Sequence, residues 1–175
     1  MTLGARRPPA VPGPSGPEDG RTAGWAPPPW AAWAGLAMSL IGFGVAAYLT
    51  YEHYTASTSL SCPMGGGAID CLKVTTSAYS VIDGVPVAVL GLVFFAVMIG
   101  LQSPPAWRSP ARPVRYLRIG WSVVGVATAV WLIYAELFRI DAICLWCTSV
   151  HILTLLVFFT TVFGTVAAAG PDVAD

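Results

Sequence analysis

The sequence predicts an all-α membrane protein, a four-transmembrane-helix bundle with a short interfacial cap helix in its first outer loop. Hydrophobic residues make up 55% of the 175 residues and charged residues only 10%, against about 25% charged residues in soluble domains. The mean hydropathy is +0.68, and four long apolar segments follow one another along the chain. The formal net charge of zero, without a basic cluster, gives no support to nucleic-acid binding.

The apolar segments define the predicted domain organisation. Residues 1–29 are rich in Pro, Gly, Ala and Arg and are predicted to form a disordered cytoplasmic tail. The membrane domain is predicted over residues 30–169, followed by a C-terminal tail at residues 170–175. The predicted spans cover about residues 30–51, 85–101, 116–138 and 144–168.

Each span has its own boundary signals. The first opens with Trp30 and ends near Tyr51, which are aromatic residues typical of membrane interfaces. The second is short, and Pro86 lies in its first turn, where a missing N–H is harmless. Arg118, at the start of the third span, is expected to snorkel towards water. The fourth span opens with Cys144.

The basic residues predict the orientation of the bundle. Seven of the nine flank the N-terminal side of the first span or the loop between the second and third spans. Only Lys73 and Arg139 flank the other side. The positive-inside rule therefore places both termini in the cytoplasm. We expect a multi-pass protein of the bacterial inner membrane. All four cysteines then lie on the outer, oxidising face.

The loop between the first two spans combines two features. Cys62 and Cys71 flank a glycine-rich stretch, which favours a cysteine pair that can move between partners. Residues 74–82 are semi-apolar and are predicted to form the short cap helix on the membrane surface.

The C-L-W-C stretch holds the second cysteine pair, Cys144 and Cys147. The pair lies at i and i+3 on one helical face, and a helix N-terminus stabilises a thiolate. These features favour redox chemistry. Two alternatives stay open: a metal-binding membrane module with a four-thiolate zinc site, and a structural membrane subunit with inert disulfides.

His151 shares one helical face with Cys144 and Cys147. A histidine below the membrane boundary needs a polar partner. It can bond to a neighbouring helix or to water, or it can donate to the carbonyl of a ligand. No haem, flavin or nucleotide motif is visible, so elimination leaves a lipid-soluble quinone as the electron acceptor.

The chain resembles the vitamin K epoxide reductase family over about residues 35–165. The resemblance depends on the two cysteine pairs in this order, on C-x-W-C-T with the later His151, and on a set of loop and second-span residues. That set is Cys71, Val74, Ser77, Tyr79, Gly84, Pro86 and Gly91.

The resemblance implies a four-helix bundle around a quinone (menaquinone or ubiquinone) under a cap formed by the first loop. It implies that Cys144 and Cys147 form the active-site disulfide, with Cys147 nearer the quinone. Cys71 would exchange with Cys144, and Cys62 would pass electrons from a partner. Together with His151, Ser77 and Tyr79 are the expected quinone-binding residues; no metal site is expected.

The chain departs from the family in three ways. A histidine, His151, replaces the tyrosine of animal members, and residues 93–100 offer no amide where those members carry an asparagine. Plain quinone reduction is therefore expected, and epoxide reduction is not. No fused thioredoxin-like domain is expected, so the expected electron donor is a separate periplasmic thioredoxin-fold oxidase of the DsbA-like kind. The expected function is reoxidation of that partner, which supports disulfide formation in exported proteins.

Overall fold

The protein is mostly helical. The computed structural model describes residues 26–55 and 67–169; the predicted tails and Cys62 lie largely or wholly outside these ranges. The helices are α1 Pro29–Thr55, α2 Cys71–Thr75, α3 Val87–Gln102, α4 Pro104–Arg108, α5 Arg112–Ala135 and α6 Leu145–Ala169. A 3-10 turn at Ala78–Ser80, strands β1 Val81–Ile82 and β2 Val85–Pro86, and a π-helical turn at Glu136–Ile140 complete the description.

Four apolar helices build the body of the structure. Helix α1 packs along α3 and α6, and α5 packs against α6 and α3. In the part of the chain that the structure describes, α1, α5 with its π turn, and α6 are long and apolar enough to cross a membrane. Helix α3 is apolar but has only 16 residues, or about 24 Å of helix. The protein is therefore a multi-pass membrane protein with three candidate spans and one shorter helix.

Small residues let these helices approach closely. Gly42 of α1 lies against the ring of Phe95 on α3, and Gly125 of α5 lies against Phe94. Both phenylalanines are buried and belong to the central apolar cluster, which also contains Met98 and Val157. Close contact over glycine is a usual way for membrane helices to gain van der Waals packing.

The loop after Asp70 differs from the predicted cap helix. Helix α2 begins at Cys71 and ends at Thr75, so it includes only the start of the predicted cap helix at residues 74–82. The end of that predicted helix forms strand β1 instead. Strands β1 and β2 pair antiparallel around Asp83 and Gly84, whose φ angles are 49° and 81°. Two positive φ values are the signature of a type I′ hairpin turn, and glycine adopts them without steric cost.

At the opposite end of the bundle, the position of Arg118 also differs from the prediction. Arg118 was expected to snorkel into water, but it is fully buried and its guanidinium stacks 3.7 Å from the ring centre of Trp107. Trp107 belongs to α4, a helix inside the predicted loop. The Trp107 indole donates to Gln102 Oε1 at 2.7 Å, and Gln102 Nε2 donates to Thr161 Oγ1 at 2.7 Å. Helix α4 covers Arg118 because these bonds hold it against the bundle.

Candidate active site

The C-L-W-C pair lies where α6 begins. Cys144 directly precedes the helix and is completely buried, while Cys147 is half-buried in the first turn. Both are free thiols. The backbone N–H of Cys147 donates to Cys144 Sγ at 3.3 Å. A hydrogen bond from the Cys147 thiol lowers the pKa of Cys144, opposing the effect of burial. Cys144 is therefore the sulfur of the pair that is prepared to carry negative charge.

Cys71 lies beside Cys144. It is the first residue of α2, is 2% exposed and is disulfide-bonded. Cys71 and Cys144 belong to one buried apolar cluster with Leu49, Val74 and Ala142. The structure thus brings the disulfide-bonded Cys71 next to the C-L-W-C pair.

Backbone pairing holds the two cysteine segments together. Ile69 and Ile143 form an isolated parallel bridge. The N–H of Asp70 donates to the Ile143 carbonyl at 3.1 Å, and the N–H of Ile143 donates to the Ala68 carbonyl at 2.9 Å. The Asp70 carboxylate also caps α2 by accepting from the N–H of Lys73 at 2.9 Å. The position of Cys71 is therefore set by main-chain bonds to the residues just before Cys144.

A cavity of about 330 Å³ adjoins the pair. Its walls are mainly apolar side chains of α1, α3, α5 and α6, including Phe94 and Phe95. Cys147 is one of the lining residues, whereas Cys144 packs with Cys71. Small-molecule sites have this size and this mixture of apolar walls and a few polar groups.

The three residues predicted to bind a quinone all line this cavity. His151 is 5% exposed, and its Nδ1 has no hydrogen-bond partner among the described residues. The Ser77 hydroxyl donates to the Val74 carbonyl at 2.8 Å, and the ring of Tyr79 meets Trp131 edge-on, with centroids 6.2 Å apart. The structure places these residues together; their roles stay predictions.

Glu136 also lines the cavity, and sequence reasoning missed it. Its side chain is buried, and its carboxyl group lies near enough to the backbone N–H of Cys144 to interact with it. A signal was present, since an acidic residue falls inside the predicted third span. Ionisable residues at such positions are rare and usually functional.

A dithiol at the start of α6, the disulfide-bonded Cys71 packed beside it and an apolar cavity lined by Cys147 therefore form one site in a membrane protein. The chain belongs to the vitamin K epoxide reductase family, whose sequence model matches residues 33–162. It is also similar to the thiol-disulfide oxidoreductase LTO1 of Arabidopsis thaliana, with 30% identity over 122 residues. That match covers 66% of this chain and 32% of the plant protein, so the chain spans about a third of the length of this curated relative.

Proposed function

We propose that the protein oxidises a DsbA-like thioredoxin-fold partner on the outer face of a bacterial inner membrane and passes the electrons to a membrane quinone. The observation that carries this proposal is the position of the C-L-W-C pair. Cys144 packs against the disulfide-bonded Cys71, and Cys147 faces the cavity. Such a pair can take electrons on one side and release them on the other.

The proposed transfer begins in the outer loop. The partner reduces the disulfide of Cys71, for which we propose Cys62 as the second cysteine. The Cys71 thiolate then attacks Cys144 of the oxidised C-L-W-C pair, which releases the Cys147 thiolate. Attack of Cys62 on Cys71 restores the loop disulfide and frees Cys144. The product has a disulfide at Cys71 and thiols at Cys144 and Cys147, which is the redox state of the structure.

The cavity residues fit a quinone. The apolar walls suit its ring, and the buried Nδ1 of His151, which has no hydrogen-bond partner among the described residues, is a polar atom that needs a partner such as a ring carbonyl. Ser77 and Tyr79 add hydroxyl groups on the loop side of the cavity. A bound quinone supplies the capacity to accept two electrons and two protons. The side chains orient it beside Cys147 and exclude water. Whether it is menaquinone or ubiquinone depends on the host membrane.

Plain quinone reduction is favoured over epoxide reduction. The side-chain amide of α3 belongs to Gln102, which is the last residue of the helix. This amide forms hydrogen bonds with Thr161 and Trp107. It is therefore not available to the cavity. A zinc thiolate site is disfavoured because Cys71 is disulfide-bonded and cannot be a thiolate ligand.

The membrane arrangement is part of the proposal. We place all four apolar helices across the bilayer, with both termini in the cytoplasm. Helix α3 would then need local thinning of the bilayer or the help of flanking residues to span. The segment from α2 to β2 would act as the cap, lying at the outer interface over the cavity.

Anaerobic turnover with purified protein tests this function. A reduced thioredoxin-fold partner and a quinone analogue are supplied to the wild type, Cys147→Ala and Cys62→Ala. Turnover should be lost in both variants, and a small dithiol in place of the partner should restore it only in Cys62→Ala. Undiminished quinone reduction by Cys147→Ala would refute the proposal, as would a wild type that oxidises the partner without reducing the quinone.

A further inference from the structure

Glu136 lies where the backbone changes from an α-helix to a π-helical turn. Helix α5 ends at Ala135 and continues as the π-helical turn Glu136–Ile140. The Glu136 carbonyl accepts from the N–H groups of both Asp141 and Ala142, and Asp141 has a φ of 52°. Single π turns occur frequently at functional sites. The wide turn fixes Glu136 opposite the segment that leads into Cys144.

The carboxyl group contacts both sides of the site. It is near enough to the backbone N–H of Cys144 and to the Cys144 and Cys147 thiols to interact electrostatically with all three groups. It also lines the cavity beside Cys147 and His151. Among the described residues that line the cavity, Glu136 has the only carboxyl group. The other titratable lining residues are His53, Tyr79, Cys147 and His151.

The surroundings of Glu136 are unusual for a structural acid. Only 6% of the residue is exposed, and in residues 26–55 and 67–169 its carboxyl group interacts with a backbone amide and with no cationic side chain. A buried carboxylate is costly unless it is paired and hydrogen-bonded. A carboxyl group with one amide donor and access to a cavity can hold a proton and release it again.

We propose that Glu136 carries one of the two protons that the dithiol loses when it reduces the quinone. The proposal rests on the proposed function. The Glu136 carboxylate accepts the proton of the Cys144 thiol, and the Cys147 thiol keeps its own. Two electrons then pass to the quinone as the S–S bond forms.

The protons and electrons balance in this scheme. Two S–H bonds break and one S–S bond forms. The proton of Cys147 and the proton held by Glu136 go to the two oxygens of the quinone, which becomes a hydroquinone. Glu136 returns to its carboxylate form and is unchanged after each turnover.

Glu136→Gln separates the proposed proton transfer from a purely structural role of the side chain. Glutamine keeps the size of the side chain and an oxygen that accepts from the Cys144 N–H, but it cannot take up a proton. In a single turnover of pre-reduced protein with a quinone analogue, its rate should fall by a factor on the order of 10²–10⁴. The KM for the quinone and the thermal unfolding midpoint should stay those of the wild type.

Two controls separate the outcomes. Glu136→Asp retains a carboxyl group and should recover part of the rate, whereas Asp83→Asn, in the exposed hairpin turn, should not change it. A Glu136→Gln rate within about threefold of a working wild type, or a rate loss that parallels a loss of stability, would overturn the role of Glu136 alone. If the wild type itself fails to reduce the quinone, the proposed function fails instead.

Discussion

Replacing Gly42 by alanine should damage the contact between α1 and α3. A Cβ atom at this position would lie 2.7 Å from Cδ1 of Phe95 and closer still to two other ring atoms. Carbon atoms in good contact lie about 3.5–4.0 Å apart, so the ring must move by roughly 1 Å. Phe95 is completely buried and packs edge-on against Phe94, with ring centroids 5.0 Å apart, which leaves little room for that movement.

Gly44→Ala is a matched control for the steric clash expected in Gly42→Ala. Gly44 lies two residues further along α1, and nothing lies within 4 Å of the Cβ position there. Alanine in place of glycine favours a helix by about 1 kcal/mol at either site, so this gain cancels in the comparison. Inserting a methyl group into a packed core costs about 1–3 kcal/mol. Gly42→Ala should therefore be less stable than Gly44→Ala by that amount.

Thermal unfolding in detergent can measure the difference. Cys144 is completely buried, so a thiol-reactive dye reports the transition as the Cys144 thiol becomes accessible. At about 2–4 °C per kcal/mol for a chain of this size, Gly42→Ala should unfold about 2–12 °C below Gly44→Ala. An unfolding midpoint for Gly42→Ala equal to or above that of Gly44→Ala would refute the close packing of α1 on α3.

Three further predictions concern the loop and the dithiol. Because a hydrogen bond from the Cys147 thiol lowers the pKa of Cys144, Cys147→Ala should move the thiolate absorbance midpoint of Cys144 to higher pH; an unchanged or lower midpoint would contradict this. Asp70→Ala removes the cap of α2, worth about 1 kcal/mol, so amides 71–75 should exchange faster with deuterium than in Asp70→Asn; equal rates would exclude the cap. Gly84 has a φ of 81°, so strain in Gly84→Ala should lower the free energy of unfolding by about 1–2 kcal/mol; Gly84→Asn should lower it less, and equal free energies of unfolding in the two variants would argue against the turn.

The helices were the most predictable part of this fold. The last one was expected over residues 144–168 and runs over Leu145–Ala169, and the first was expected over 30–51 and runs over Pro29–Thr55. Long apolar segments define such helices directly. Their ends are less predictable, because a polar stretch such as the one after Tyr51 can continue the helix beyond its apolar part.

The loop shows where pattern reading failed. Residues 74–82 have an apolar content that suits a helix, but they are followed directly by the Asp83-Gly84 dipeptide. Asp-Gly between β-branched residues is a strong hairpin signal, and the structure forms the hairpin β1–β2 there. Competing local signals of this kind are decided by tertiary packing.

Contacts between distant segments left no signal in the sequence. Nothing near Arg118 indicates that Trp107 will cover it, because the contact needs α4 to fold back on the bundle. The spacing of the C-L-W-C pair likewise placed both sulfurs on one helical face, but it did not indicate which sulfur faces the cavity. Packing around Cys71 and the cavity walls separates the two cysteines.

The bridge between Ile69 and Ile143 has a consequence for how sequences of this kind can diverge. Its bonds join backbone to backbone, so changing the side chains at these positions should preserve the separation of Cys71 from Cys144. Adding or removing one residue on either side would shift the pairing by about 3.3 Å along the strand direction. Natural variants should therefore vary freely in side chain here while keeping the number of residues between the bridge and each cysteine constant.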